Sequence, residues 1–316
     1  MITPPATESL ASLRQGGKAA LATALAELER ASEAPAVLSL LGEAWTLSAA
    51  GGGAHVLGIT GPPGVGKSTL TGALLKAARR QGKRVAVLAI DPSSRISGGA
   101  LLGDRLRVMS PAGDPDCFVR SMAARRRLGG LADEAFPAIT LLRALFDLVL
   151  VETVGVGQSE TDVADMTDTV VFCVQPASGD AVQFMKAGII EIPHIAVVTK
   201  ADLGAAAERA LADLKAAVSL SQPAQGWKVA CLALAAQRSG AAEELLDLAE
   251  QHRVHLQETG SLSRTRLSQG QNWLSTAIRS DYGSRGLARV TAQLGAAGPS
   301  PFADLASLRA KLEDRA

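Results

Sequence analysis

The chain has 316 residues, enough to bury one large core with appendages or two modest ones. With 32 Lys and Arg against 31 Asp and Glu, the formal net charge is +1, so no global field draws it to nucleic acid or to an anionic membrane surface. No apolar run reaches the length of a bilayer span, and the opening "MITPPATESLASLRQGG" has no secretory-type apolar core. The expectation is a soluble, cytoplasmic protein.

Residues 1–53 read as an N-terminal helical extension. "TESLASLRQGGKAALATALAELERA" and "APAVLSLLGEAWTLSAA" are rich in Ala, Leu and Glu, with apolar residues three and four apart. The triplet Gly51-Gly52-Gly53 punctuates their end and marks a boundary.

Residues 54–250 alternate short apolar runs with longer amphipathic stretches. "HVLGIT", "RVAVLAID", "LVLVETV", "TVVFCVQP", "HIAVVTKAD" and "KVACLAL" are continuously apolar, as strands covered on both faces are. The fold class expected is α/β: a P-loop NTPase with a mostly parallel twisted sheet flanked by helices. In such sheets ligands bind at the carboxyl ends of the strands, where the polar residues of these runs lie.

The first run leads into "GPPGVGKS" at 61–68, which satisfies G-x-x-x-x-G-K-[ST] with a strand before it and a helix after it. Gly61 opens the loop. Gly64 and Gly66, flanking Val65, let backbone N–H groups turn toward phosphate oxygens without a Cβ clash. The helix that follows adds its positive N-terminus. Lys67 supplies a mobile cation for the β- and γ-phosphates, the Ser68 hydroxyl is placed for Mg²⁺, and Thr69 is a candidate α-phosphate contact.

A metal on a phosphate needs carboxylates opposite the loop. Asp91 in "LAIDPSS", Asp104 in "GGALLGDR" and Glu152 in "VLVETVGVGQSE" are the candidates. Mg²⁺ prefers a few carboxylates with phosphate oxygens and water, so some of the three are expected to act through water. In the turn after Glu152, the Gly155 N–H is the candidate γ-phosphate sensor and Gln158 the candidate water-orienting residue. Between these acids, "RSMAARRRLGG" carries the triplet Arg125–Arg127; a solvated loop is the favoured reading, with partner contact or charge stabilisation beside it.

"VTKAD" at 198–202 selects the base. Lys200 and Asp202 stand where GTP-binding domains carry an N/T-K-x-D element. A carboxylate there accepts from the ring N–H and exocyclic amine of guanine, a donor pair adenine lacks. The bland alternative is that Asp202 caps the next helix.

Past about Gln251 the strands stop, and residues 251–316 read as a C-terminal helical arm. Residues 261–282 form a helix with Leu262, Leu267, Trp273, Leu274 and Ile278 available for one stripe and Gly270 weakening its middle. "GAAGPSPF" is a turn before a short charged helix. His252 and His255, three apart on a helix, read as a solvated face rather than a metal site. Cys117, Cys173 and Cys231 make no metal-type pair, and the last two behave as small hydrophobes in strands.

With these elements placed, "DPSS", "GGALLGDR", "ETVGVGQSE", "ADMTDT" and "VVTKAD" together make a specific set. The chain resembles the bacterial MeaB/ArgK and human MMAA type of P-loop GTPase, which accompanies methylmalonyl-CoA mutase, strongly over about residues 55–250. The resemblance implies a G domain with a helical extension and a C-terminal arm used in homodimerisation. It implies GTP–Mg²⁺ binding, with no tightly bound organic cofactor of its own. Hydrolysis is implied to be slow alone and faster with a partner, a B12-dependent acyl-CoA mutase of the methylmalonyl-CoA mutase type. The activity implied is chaperoning: gating adenosylcobalamin delivery and protecting or reactivating the mutase.

The segment "QPASGDAVQFMKAG" at 175–188 resembles the family's partner-responsive switch, with Asp180, Gln183 and Lys186 matching its polar pattern; a loop with Asp180 as cap is the plain reading. Two departures stand out. Thr199 replaces the usual asparagine before Lys200, and "LALAAQRSG" lacks the later guanine-contacting serine, leaving backbone N–H groups near Ala235 and Ala236. Two other classes remain alongside: a metallochaperone GTPase, which generally brings a His-rich tail or Cys/His cluster, and a P-loop kinase linked to transport.

Overall fold

The computed structural model describes residues 9–92, 113–124, 132–153, 162–176, 192–219, 226–294 and 298–314, with only the backbone of 91–92, 123–124 and 132–134. The chain order of its elements explains the architecture. Helices α1 (Leu10–Arg30) and α2 (Pro35–Ala49) precede β1 (His55–Thr60) and α3 (Lys67–Arg80). Then come β2 (Val85–Pro92), β3 (Cys117–Ala124), α4 (Ala132–Leu145), β4 (Leu148–Thr153) and β5 (Thr169–Val174). β6 (Ile195–Val198), α5 (Ala205–Val218), β7 (Ala230–Ala233), α6 (Ala241–Glu258), α7 (Ser261–Val290) and α8 (Pro301–Glu313) complete the described strands and α-helices.

All seven strands are parallel, in the order β3-β2-β4-β1-β5-β6-β7. Strand alternation divides the apolar runs between two layers. Val56, Ala86, Leu88, Ile90, Val149 and Val151 face a core shared with α1, α2, α4, α7 and α8. Leu57, Ile59, Val85, Val87, Leu148 and Leu150 face α3 and α6. Helices α1 and α2 before the sheet and α7 and α8 after it therefore close over one face together. Their junction is an aromatic cluster: Phe302 of α8 lies 6.2 Å from Trp45 of α2, 6.0 Å from Phe136 of α4 and 5.0 Å from Trp273 of α7, centroid to centroid.

The six expected strands form, each within a residue or two of one or both expected ends, and β3 is an addition. Its sequence, "CFVRSMAA", is broken by Arg120 and lacks a continuous apolar run; β3 is one of the two edge strands. Arg120 reaches out of it to Glu29 of α1 at 2.6 Å. The first part of "RSMAARRRLGG" is thus sheet rather than loop, while Arg125–Arg127 lie outside the described residues.

Three expectations about the C-terminal helices are corrected. Leu267 is exposed and does not join the buried stripe of α7, which runs through Leu262, Gly270, Trp273, Leu274, Ala277 and Ile278. Gly270 is a packing site: a Cβ there would stand 2.5 Å from the Trp45 ring. The real interruption is Gly283, at φ 67°. His252 is wholly buried rather than on a solvated face, its ring 4.3 Å from that of His194 and 4.7 Å from that of Trp227. The Thr169 hydroxyl stands between His55 Nε2 and His252 Nδ1, 2.7 Å from each. Burial pushes the His55 and His194 pKa values down to about 4 and, helped by the neighbouring histidines, that of His252 down to about 2.

Where the chain enters the central strands β1 and β5, Arg266 of α7 ties three parts of the chain together. It donates to both oxygens of Asp168 at 2.8 Å and to the carbonyls of Ser48, Gly52 and Ala54. Arg143 of α4 approaches the same carboxylate at 3.6 Å and donates to Ser48 Oγ at 2.7 Å. Burial pushes the Asp168 carboxyl up, but the two guanidiniums outweigh it and hold it well below the usual carboxylate range.

Candidate functional site: a phosphate loop and a base pocket at the strand ends

The site forms where β1, β4, β5 and β6 end. After Thr60 the chain turns through Gly61 (φ 134°), Gly64 (φ 78°) and Gly66 (φ 100°), angles L side chains rarely adopt. Gly61 has a second constraint: a Cβ on it would stand 2.1 Å from the Cys173 carbonyl oxygen of β5. Val65 is buried among the residues that face α3, so what it offers a ligand is its backbone.

Helix α3 begins at Lys67. Its N-cap is Gly66, which gives no side-chain cap, and its first turn holds no acid. The N–H groups of that turn and the helix dipole therefore face the loop, ready for an anion. Lys67, buried, folds back on the loop and donates from Nζ to Gly61 O at 2.7 Å and Pro62 O at 2.9 Å. Thr69 is exposed on the first turn.

Ser68 Oγ donates to Glu152 Oε1 across 2.5 Å. Glu152 is wholly buried at the end of β4. Its neighbour Thr153 donates from Oγ1 to Thr60 Oγ1 at 2.9 Å, locking the ends of β4 and β1 together. Register places Asp91 two residues beyond Ala89, the β2 partner of Glu152. A hydroxyl beside a buried carboxylate at the mouth of a phosphate loop is the hard-oxygen donor set Mg²⁺ takes, so these residues fit the ion. Among the described residues no group of three or more His, Cys, Asp or Glu is gathered; the Asp91 side chain and all of Asp104 lie outside them.

Across the loop stands Thr199, in the place of the usual asparagine. Its single hydroxyl proton points between Val65 O at 2.5 Å and Val174 O at 3.0 Å, tying β6 to the phosphate loop and to β5. Lys200 sits in the left-handed region at φ 53°, the one non-glycine residue with positive φ among those described. Its ammonium bridges Gly64 O at 3.0 Å and Gln175 Oε1 at 2.6 Å. Asp202 is exposed in the short turn Ala201–Leu203 that follows. Ala201 N–H donates to Leu234 O at 3.2 Å, which brings half-buried Ala235 and Ala236 beside that turn.

The structure thus gathers Gly61, Gly64, Val65, Gly66, Lys67, Ser68, Thr69 and Glu152 on one side and Lys200, Asp202, Ala235 and Ala236 on the other. Asp104, Gly155, Gln158, Asp180, Gln183 and Lys186 lie outside the described residues. Two contacts escaped the sequence reading: the Thr153–Thr60 hydroxyl pair, whose sign was a polar residue at each of two adjacent strand ends, and Gln175 as a partner of Lys200.

A family model described as methylmalonyl Co-A mutase-associated GTPase MeaB matches residues 20–290. The chain belongs to this family. A putative GTPase of Pyrococcus horikoshii is 41% identical over 261 residues, 81% of this chain and 79% of that protein. The mouse protein described as methylmalonic aciduria type A homolog, mitochondrial, is 37% identical over 227 residues, 71% of this chain and 55% of that protein. A crystal structure described as an LAO/AO transport system kinase aligns over 99% of this chain and all of its own, with a TM-score of 0.67 and 26% identity. The family's GTPase activity and the P-loop fold agree with the geometry: this is a GTP-hydrolysing enzyme. No described helix is long and apolar enough to cross a membrane.

Proposed function

We propose that the protein is a GTP-driven chaperone of a B12-dependent acyl-CoA mutase of the methylmalonyl-CoA mutase type, gating adenosylcobalamin delivery and protecting or reactivating that enzyme. The observation that carries the GTP side is the joining of Ser68 to Glu152 at the phosphate loop opposite the Lys200–Asp202 turn. Support for the mutase side comes from the family description and from the mouse relative.

In this reading Lys67 exchanges its two loop carbonyls for β- and γ-phosphate oxygens when GTP enters. Mg²⁺, when bound, neutralises charge on the β- and γ-phosphates; Ser68 with Glu152, Asp91 and Asp104, directly or through water, would hold it. Gln158 orients the attacking water, and the Gly155 N–H contacts the γ-phosphate. Water forms the new P–O bond as the bond to the β,γ-bridging oxygen breaks, and GDP and phosphate leave. Loss and gain of the γ-phosphate contacts give two states. Asp180, Gln183 and Lys186 present the nucleotide state to the mutase. The C-terminal helices, whose Leu267 and Val254 are exposed apolar residues, pair two copies into a homodimer in the cytoplasm.

The test is GTP hydrolysis by the purified chain with and without candidate B12-dependent acyl-CoA mutases. Stimulation by one of them supports the reading; no stimulation by any overturns the chaperone role. A second reading, a transport-linked kinase, is favoured by the description of the similar solved structure. It requires ATP to bind as well as GTP and an acceptor other than water to take the phosphoryl group. A metallochaperone requires tight, stoichiometric binding of a transition metal. Equilibrium binding of ATP, GTP and metal separates the three.

A further inference from the structure

Lys200 holds an unfavourable backbone conformation, which for an L residue costs about 1–2 kcal/mol. What holds it there is on both sides of the side chain. Thr199 is pinned to Val65 and Val174, Ala201 N–H to Leu234 O, and the ammonium to Gly64 O and Gln175 Oε1. The lysine therefore spans three loops: the phosphate loop, the end of β5 and the turn that carries Asp202. Gln175 is the residue immediately after β5, and it is the first residue of the segment read as partner-responsive.

We propose that Gln175 is a positioning residue for the guanine nucleotide: by accepting from Lys200 it holds the Lys200–Asp202 turn closed against the phosphate loop and sets how long nucleotide stays bound. This deepens the proposed function, because it gives the segment starting at Gln175 a direct handle on nucleotide retention. The contact is made between Lys200 and Gln175 and involves none of Lys67, Ser68 and Glu152. It acts on GTP and GDP alike and leaves the chemical step untouched. A displacement of the end of β5 would draw Gln175 from Lys200 and release nucleotide. No new bond to the nucleotide is required.

The test measures dissociation of N-methylanthraniloyl-GDP, and kcat and KM for GTP, in the chain without any partner. Gln175→Leu removes the acceptor. It should release the labelled GDP about 3- to 10-fold faster, the net worth of one solvent-exposed hydrogen bond, and raise KM with kcat unchanged. Gln175→Glu replaces the amide by a carboxylate, a stronger acceptor for an ammonium, and should release GDP more slowly than wild type. Opposite shifts from two substitutions at one position would not arise from a loss of packing. Release rates unchanged in both variants, or accelerated equally in both, overturn the proposal, as does a fall in kcat with KM constant. Since no partner is present, failure of the mutase reading leaves this test intact. Lys67→Ala, run beside it, reports independently on the hydrolytic reading through loss of kcat.

Discussion

Ser68 Oγ lies 2.5 Å from Glu152 Oε1, so the first turn of α3 and the end of β4 meet at the mouth of the phosphate loop, the place proposed for Mg²⁺. Glu152→Gln keeps the shape and an acceptor oxygen but removes the charge. GTP hydrolysis should fall on the order of 10²-fold, the usual scale for one electrostatic group at a phosphoryl or acyl centre. The Mg²⁺ concentration for half-maximal activity should rise at the same time. Single-turnover phosphate release across a Mg²⁺ series checks both, and unchanged turnover would remove Glu152 from the site.

In the proposed function, recognition of the base rests on Asp202, an exposed carboxylate two residues after Lys200. Asp202→Asn turns one of the two acceptors offered to guanine into a donor. GDP affinity should weaken about 10- to 100-fold, the cost of losing hydrogen bonds to a charged group. Xanthosine diphosphate, which offers an oxygen where guanine offers an amine, should gain relative to GDP. Competition between the two nucleotides measures the exchange. If GDP binds Asp202→Asn as it binds wild type, Asp202 is only a helix-side turn residue.

Gly270 lies inside a helix, where exchange for alanine ordinarily gains about 1 kcal/mol. Here the sign should reverse. The added Cβ would stand 2.5 Å from the Trp45 ring, with two more ring atoms at 3.0 and 3.2 Å. That ring is itself fixed against Phe136 and Phe302. Overpacking of this kind costs about 1–3 kcal/mol, so Gly270→Ala should lower the urea midpoint. A rise would show that the α2–α7 contact yields easily.

Much of this architecture is legible in the sequence because the physics is local. A strand buried on both faces must be apolar throughout, so β1, β2, β4, β5 and β6 announce themselves; β7, a half-buried edge strand, is read from its apolar run all the same. The phosphate loop needs glycines at fixed spacing, and Thr199 can be read as an orienting hydroxyl from its place before Lys200. What could not be read depends on partners distant in sequence. Gly270 reads as a helix weakness until Trp45 is seen against it. Arg120 hides an edge strand, because its partner Glu29 lies 91 residues away. His252 has the spacing of a solvated helix face, and only the fold brings His55, Thr169 and His194 to it. Lys200 carries the same lesson in the nucleotide site, since nothing near Gln175 in sequence foretells that the two meet.

Asp168 and Arg266 form a fully buried pair with Arg143 at its edge. Arg266 also donates to carbonyls at the end of α2 and before β1, so its loss takes donors from three carbonyls and leaves the buried carboxylate only the more distant Arg143 and the Val56 N–H. Breaking one side of a buried pair costs about 3–5 kcal/mol. Arg266→Met should destabilise the chain by that order, measured by urea unfolding. Asp168→Asn should cost a similar amount, because it leaves two guanidiniums facing a neutral group. The double variant should lose less than the sum, the signature of a shared interaction.

The buried histidines predict an acid limb in stability. His55 and His194 have pKa values near 4, and His252 near 2, against about 6.5 in an unfolded chain. Well above pH 6.5, by about pH 7.5, nearly all are neutral in both states and contribute almost no slope. As pH falls from 6.5 toward 4, the unfolded chain takes up protons that the folded chain refuses, so stability drops. Each histidine contributes about 1.4 kcal/mol per pH unit, and the three together about 4. Asp168, whose pKa is depressed, contributes in the same direction only at lower pH, once the unfolded carboxyl begins to protonate. The urea midpoint should therefore be level from pH 8 to 7 and fall steeply between pH 6 and 5. His252→Leu, though weaker at neutral pH through loss of the Thr169 contact, should show an acid limb shallower by about one proton's worth of slope. A wild-type midpoint that stays constant down to pH 5 would mean that the cluster opens and protonates within the folded state.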